Sequence, residues 1–209
     1  MLNSKCQICR RAGMKLFLKG EKCLSPKCTF LRKSYPPGMK RKRRGAALSE
    51  YGKELREKQK LKQWYNLKER QLENYVDEIL RKGGRVGDAA QVLIQKLESR
   101  LDNVVFRSGF AKSRNQARQL VSHGHFQVNG RSVNIPSYQV KKGDKISLKS
   151  TASRKKIFEN LPTLFKKHTP PTWLKLDSKK LTVEVTGAPT LEEAAPPAEV
   201  SAIFEYYSR

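Results

Sequence analysis

The sequence predicts an α+β protein, mainly helical. A helical scaffold domain carries a small helix-plus-hairpin module inserted into it, and a basic, cysteine-bearing knob precedes both. Three observations lead there. All four cysteines fall within the first 28 residues. Apolar residues recur at helical spacing through residues 49–98. An Asn129-Gly130 pair then sits between two runs of alternating apolar residues, the strongest short-range hairpin signal. The expected division is 1–48 for the N-terminal segment, 49–98 for the scaffold (completed by 164–209), and 99–163 for the inserted module.

The chain has 209 residues, enough for one large or two small domains. Lys and Arg number 44 against 19 Asp and Glu, a formal net charge of +25. Such an excess predicts a polyanionic partner. It is unevenly placed: residues 1–62 carry 19 basic and 4 acidic side chains, and residues 101–156 carry 12 and 2, while the intervening and final stretches are near neutral. Hydrophobic residues make up 37% and the mean hydropathy is -0.69. No stretch reaches the ~18 consecutive apolar residues of a membrane helix. The opening MLNSKCQICRR lacks the apolar core of a secretory signal. A cytoplasmic, reducing setting without membrane attachment is therefore expected.

Cys6 and Cys9 form C-x2-C, and Cys23 and Cys28 form C-x4-C after a loop of thirteen residues. Two close pairs joined by a short loop supply the tetrahedral thiolates that structural Zn2+ requires. Lys5, Arg10, Arg11, Lys22 and Lys27 would favour the deprotonated thiols, and Leu16, Phe17 and Leu18 of KLFLKG would pack over the site. Two disulfides and an iron–sulfur cluster are the alternatives. Catalytic zinc is disfavoured, because four thiolates leave no open position.

Tyr35-Pro36-Pro37-Gly38 signals a turn. It leads into Lys40, Arg41, Lys42, Arg43 and Arg44, whose mutual repulsion favours an extended run that orders against phosphate. Ser49 is placed to cap a helix through Leu55, Arg56, Leu61 and Trp64, with Lys53, Arg56, Lys60 and Lys62 as candidate phosphate contacts. Leu72, Tyr75, Val76, Ile79 and Leu80 mark a second, amphipathic helix, stopped at Lys82-Gly83-Gly84. Asp88 is read as the cap of a third, with Val92, Leu93 and Leu97 along one side. These stripes are core positions and imply no cofactor.

Within the module, Ser99 and Asp102 resemble a capping box ahead of Val104, Val105 and Phe106. Ser113 and Gln116 form another ahead of a helix from Arg114 to His123. Ala117, Leu120 and Val121 share its inward face, and Gly124 ends it. Phe126 and Val128, then Val133 and Ile135, flank the Asn129-Gly130 turn. Lys142-Gly143-Asp144 turns into a last strand, Lys145–Leu148. Arg107, Lys112, Arg114, Arg118, His123, His125, Arg131, Tyr138 and Lys141 are the candidate RNA contacts, joined by Lys142 and Lys145. Cations supply phosphate affinity, and planar groups stack on unpaired bases.

The stretch SRLDNVVFRSGFAKSRNQARQLVSHGHFQVNGRSVNIPSYQVKKGD resembles the RNA-binding module named after small-subunit ribosomal protein S-four. The flanks resemble that ribosomal family itself: KLFLKG, Pro36-Pro37-Gly38, Leu48–Gln71, PTWLKLD (171–177) and the FEYYSR end (204–209). The four-cysteine arrangement is similar to its bacterial, zinc-containing form. The chain departs from the family where Met39-Lys40-Arg41 follows Pro-Pro-Gly, in a slightly shorter start, and in the acidic, Pro/Ala-rich 190–200.

The resemblance implies a structural, RNA-binding component of the bacterial small ribosomal subunit. It implies binding to a junction in the 5′ domain of small-subunit ribosomal RNA, proximity to messenger RNA where it enters the subunit, contact with small-subunit ribosomal protein S-five, and a part in decoding accuracy. It implies no small-molecule substrate. A free-standing RNA chaperone or translational repressor is the alternative. Arg100-Leu101-Asp102 also matches a motif around the catalytic Asp of one pseudouridine synthase group. No synthase-like domain surrounds it, so no enzyme is expected.

Overall fold

The computed structural model describes residues 5–38, 47–82, 86–153, 155–178 and 180–208. Its helices and one antiparallel sheet make the expected α+β protein, mainly helical. The chain divides into two compact units, 1–93 with 196–209, and 94–195. The run Lys40–Arg44 lies outside the described residues.

The first unit opens with short helices α1 (Lys5–Ala12), α2 (Glu21–Leu24) and α3 (Thr29–Arg32). Helix α4 (Glu50–Trp64) begins where Ser49 Oγ accepts from Gly52 N at 3.2 Å, the expected cap. Helix α5 (Glu69–Arg81) buries Leu72, Val76 and Ile79, while Leu80, assigned to that stripe from sequence, is exposed. Helix α6 (Val86–Glu98) carries Asp88 inside its first turn rather than as its cap. The boundary between the units falls within α6. Helix α12 (Val200–Tyr207) packs on α4 and α5 through Ile203 and Phe204.

Beside that apolar contact lies a buried cation. The Lys58 side chain is 5% exposed, with its Nζ 2.6 Å from Glu69 and 3.9 Å from the centroid of the Tyr206 ring. Tyr207 Oη donates to Glu69 at 3.2 Å. A cation–π contact of this kind contributes about 0.5–2 kcal/mol. Burial would raise the Glu69 pKa, but hydrogen bonds from Lys58 and Lys62 outweigh it and hold the carboxyl at about 2.

The second unit contains α7 (Leu101–Arg107), α8 (Arg114–Ser122), β1 (Phe126–Val128), β2 (Arg131–Val133), β3 (Lys145–Leu148), α9 (Ser150–Ser153), α10 (Leu161–Lys167), β4 (Leu174–Asp177), β5 (Thr182–Val185) and α11 (Leu191–Ala194). The hairpin is as expected: Val128 pairs with Arg131, and Asn129 and Gly130 take φ of 51° and 79°. Two positive φ angles match the right-handed twist of the strands. Asp144 clasps the turn, accepting from Asn129 Nδ2 and Lys141 N, both at 2.8 Å.

The sheet extends further than expected. Its order is β2-β1-β3-β5-β4, so β3 is not the last strand. Ile146 pairs with Val183, and Leu176 with Val183 on the other side. Residues 164–195 therefore build this unit and do not complete the scaffold; within 164–209, only 196–209 belong to the first unit. Residues 94–98 also fall in the second unit. Val183 and Val185 are buried with Phe126, Ile146, Leu120 and Val105 in one core, where Phe110 meets Phe126 and Phe165 edge to face.

Asp102 does not cap α7. Leu101 N donates to Tyr138 O at 2.8 Å and Asp102 N to Pro136 O at 3.1 Å, so main-chain carbonyls satisfy the helix start. Asp102 instead receives a two-point ion pair from Arg100, at 3.1 and 2.8 Å, both residues being buried.

The fully buried Glu98 carboxylate gathers three helices. It accepts from Arg107 Nε at 2.9 Å and Nη2 at 2.8 Å and from Asn103 Nδ2 at 2.5 Å, and Arg114 Nη2 stands 3.8 Å away. Arg114 Nε also donates to Asn103 Oδ1 at 2.7 Å, and its guanidinium lies 4.6 Å from the centroid of the Phe106 ring.

Removing that carboxylate strands buried cations. Glu98→Ala is predicted to lower unfolding stability by about 3–5 kcal/mol in urea titration; a loss of a few tenths would mean that the network carries no weight. A pH effect is predicted for the first unit. Because the folded Glu69 pKa lies below its ordinary value of 4.5, its contribution is present above about pH 4.5 and is lost as pH falls through about 2. Hydrogen exchange of α4 and α12 should show protection falling across that window, and less steeply in Glu69→Gln.

Candidate nucleic-acid interface

The RNA-contact residues expected from sequence separate into three groups. The first is turned inward. Arg114 is 9% exposed and bound to Asn103, Glu98 and Phe106, although its helical position suggested an outward phosphate contact. Arg107 spends its guanidinium on Glu98 and on Ala194 O at 2.9 Å. Both act through the fold rather than as outward RNA contacts. The cause is Glu98, whose burial demands cationic partners.

The second group lies on α4, where neighbouring carboxylates hold most of the cations. Lys53 pairs with Glu50 at 2.9 Å, Lys60 with Glu57 at 2.5 Å and Lys62 with Glu69 at 2.5 Å. Arg56 is exposed and has no such pair among the described residues. The Lys53–Glu50 pair is exposed, worth little and readily exchanged for phosphate, whereas the Lys60 and Lys62 side chains are only 20% and 13% exposed.

The third group covers the hairpin module. The Ser113 cap starts α8, accepting from Gln116 N at 3.3 Å, while Gln116 Oε1 turns back to Lys112 N at 2.9 Å. Burial of Ala117, Leu120 and Val121 fixes the roll of α8 and leaves Arg118 half-buried and Lys112 exposed. Helix α8 ends at His123, and Gly124 takes φ of 67°, the left-handed stop. His123 is exposed, and its ring meets the half-buried His125 edge to face at 5.9 Å. Arg131, Tyr138 and Lys141 are exposed along the hairpin and its return, as are Lys142 and Lys145.

Two further cations join this surface. Burial lowers the His125 pKa below its ordinary value, and the nearby charges of Lys155, His123 and Lys149 lower it further. Four basic side chains thus converge where α8, β1 and the segment after β3 meet, with the Phe158 ring against His125 at 5.8 Å. Sequence reading missed Lys149 and Lys155. The available signal was their place in the basic stretch after β3; their proximity to His125 depends on Lys149 N donating to His125 O at 2.9 Å, a non-local pairing.

In the first unit, Cys9, Cys23 and Cys28 are buried, Cys6 is half-buried, and all four line one small pocket. Phe17 and Leu18 line it as expected, Leu18 buried and Phe17 45% exposed, while the buried Leu16 is not among its lining residues. Burial pushes the Cys9 thiol up, and the neighbouring Cys23, Cys6 and Cys28 add to that effect against one lowering contact from the Leu16 backbone. The four thiols suit a tetrathiolate centre by donor chemistry. Among the described residues, however, no three His, Cys, Asp or Glu side chains form a group able to hold a metal ion. The described residues include no helix long and apolar enough to cross a membrane.

The family model of the S4 domain matches residues 99–146, and that of the ribosomal protein S4/S9 N-terminal domain matches residues 1–98. Three similar proteins carry the name small ribosomal subunit protein uS4. The protein of Caldicellulosiruptor bescii is 47% identical and that of Halothermothrix orenii 46%, each over 98% of this chain and 96% of the relative. The protein of Syntrophomonas wolfei is 45% identical, over 99% and 98%. The structure carries the S4-type module behind a helical N-terminal domain, and the kinship extends over almost the full length of both partners: the chain belongs to the uS4 family of small ribosomal subunit proteins.

Proposed function

We propose that this protein is a structural, non-enzymatic constituent of the bacterial small ribosomal subunit, in the cytoplasm, that binds small-subunit ribosomal RNA. The observation that carries this reading is kinship over nearly the whole chain with proteins named for that particle. The cationic surface around His123, His125, Lys149 and Lys155 supplies the chemistry: lysines draw in phosphates, while imidazole planes suit unpaired bases. Arg118, Arg131, Tyr138 and Lys141 extend that surface, and Arg56 offers a second point of contact in the other unit.

The finer reading follows the family resemblance. The RNA target is a junction in the 5′ domain, bound early in assembly. Messenger RNA passes nearby where it enters the subunit, small-subunit ribosomal protein S-five is the protein neighbour, and the contact bears on decoding accuracy. The four cysteines hold structural Zn2+, which would fold an N-terminal segment otherwise short of apolar core. Zinc binding at these thiols would release their protons.

Affinity for a 5′-domain transcript should fall with salt by about 0.7–0.9 log units per tenfold increase for each phosphate neutralised. A flat dependence would contradict phosphate contact, and failure to co-sediment with small subunits at high salt would contradict the assembly role. Arg118→Ala should weaken binding with unchanged thermal stability, whereas Arg114→Ala should lower stability. Freshly purified, unoxidised protein should contain one zinc per chain and lose it in Cys23→Ser with Cys28→Ser; metal-free wild-type protein would refute the zinc site.

A further inference from the structure

A cleft in the first unit lies between α1 and α4 and is used by none of the contacts described so far. Its volume is about 490 Å³, within the roughly 300–1,000 Å³ typical of small-molecule sites. Ala12, Leu16 and Leu55 give it an apolar lining, and Leu16 is only 1% exposed. Arg11 from α1 and Arg56 from α4 stand at its edge, both exposed, and neither has an ion pair among the described residues. Gln59 and Gln63 follow Arg56 along α4 and present amides to the same space. Among the described residues, no Asp or Glu lines it. The fifth polar group, Lys60, is held by Glu57 and adds little free charge.

We propose that this cleft receives one unstacked nucleotide of the bound RNA. The apolar lining accepts the face of a base. The guanidinium groups of Arg11 and Arg56 match its phosphate and stack on its ring. The Gln59 and Gln63 amides carry both donors and acceptors, so they meet a base edge without fixing its identity by charge. A cationic side chain finds no counter-charge here. The inference rests on the RNA-binding reading and adds a base-binding subsite, with Arg11 as an RNA contact beyond those expected from sequence.

The test uses the full-length, zinc-replete protein and a 5′-domain transcript of small-subunit RNA. Ala12→Trp fills the lining and leaves every charge in place. Gln59→Ala with Gln63→Ala removes the amides and preserves helix propensity. Both are expected to weaken binding, Ala12→Trp by about tenfold, as loss of one stacked base does. The slope against salt should stay unchanged, because no phosphate contact is lost. Chemical probing should show base protection lost at one or two adjacent nucleotides and the rest of the footprint intact. Should Ala12→Trp lose helicity by circular dichroism, the Gln59/Gln63 variant decides alone. Wild-type affinity and footprint in the folded variants overturn the proposal, including the case where a protein side chain fills the cleft. Failure of the wild-type protein to bind the transcript would instead overturn the RNA-binding reading itself.

Discussion

One buried carboxylate organises the second unit. Glu98 closes α6, and within 16 residues the chain returns Asn103, Arg107 and Arg114 to it. An ionised carboxylate without partners is too costly to bury, so these groups must arrive together. Their arrival ties α6, α7 and α8 to one buried charge, while burial of Ala117, Leu120 and Val121 sets which face of α8 reaches solvent. Arg107 carries the same constraint to α11 through Ala194 O.

This constraint explains how a chain with net charge +25 stays ordered. Its cations are of different kinds. Some, such as Arg100, Arg107 and Arg114, are held within the fold by carboxylates. Others, on α4, pair with Glu50, Glu57 and Glu69, and of these pairs only Lys53–Glu50 is exposed on both sides for a phosphate to replace. A third kind gathers around His125, whose pKa is lowered first by burial and then by the charges of Lys155, His123 and Lys149. Such crowding opposes folding slightly and favours a polyanion strongly.

What could be read from sequence follows from the range of the interactions. The Asn129-Gly130 hairpin, the Ser49 and Ser113 caps and the buried stripe of α5 are local, and their residue types signal them directly. The roles of Arg114 and Arg118 could not be separated, because both sit at helical spacing on α8 and only Glu98 distinguishes them. Asp102 looked like a cap because a backbone carbonyl from Pro136, invisible in residue type, does the capping. Residues 164–195, expected in the scaffold and with no strand read among them, join the second unit for the same reason: the Ile146–Val183 pairing spans distant sequence. The grouping of the four cysteines around one pocket agrees with their spacing, and the family was legible because its motifs run along the whole chain.

The division of the chain also bears on the order in which the protein forms. The second unit is continuous, 94–195, whereas the first joins 1–93 to 196–209. Closing the first core requires α12 to reach α4 across more than a hundred residues, and long-range closure is slow. During synthesis the hairpin module can therefore finish while α4 still exposes the surface that α12 covers, and Lys58 waits for Tyr206 and Tyr207. The nascent chain offers a completed RNA-binding surface before its first helices have a finished core.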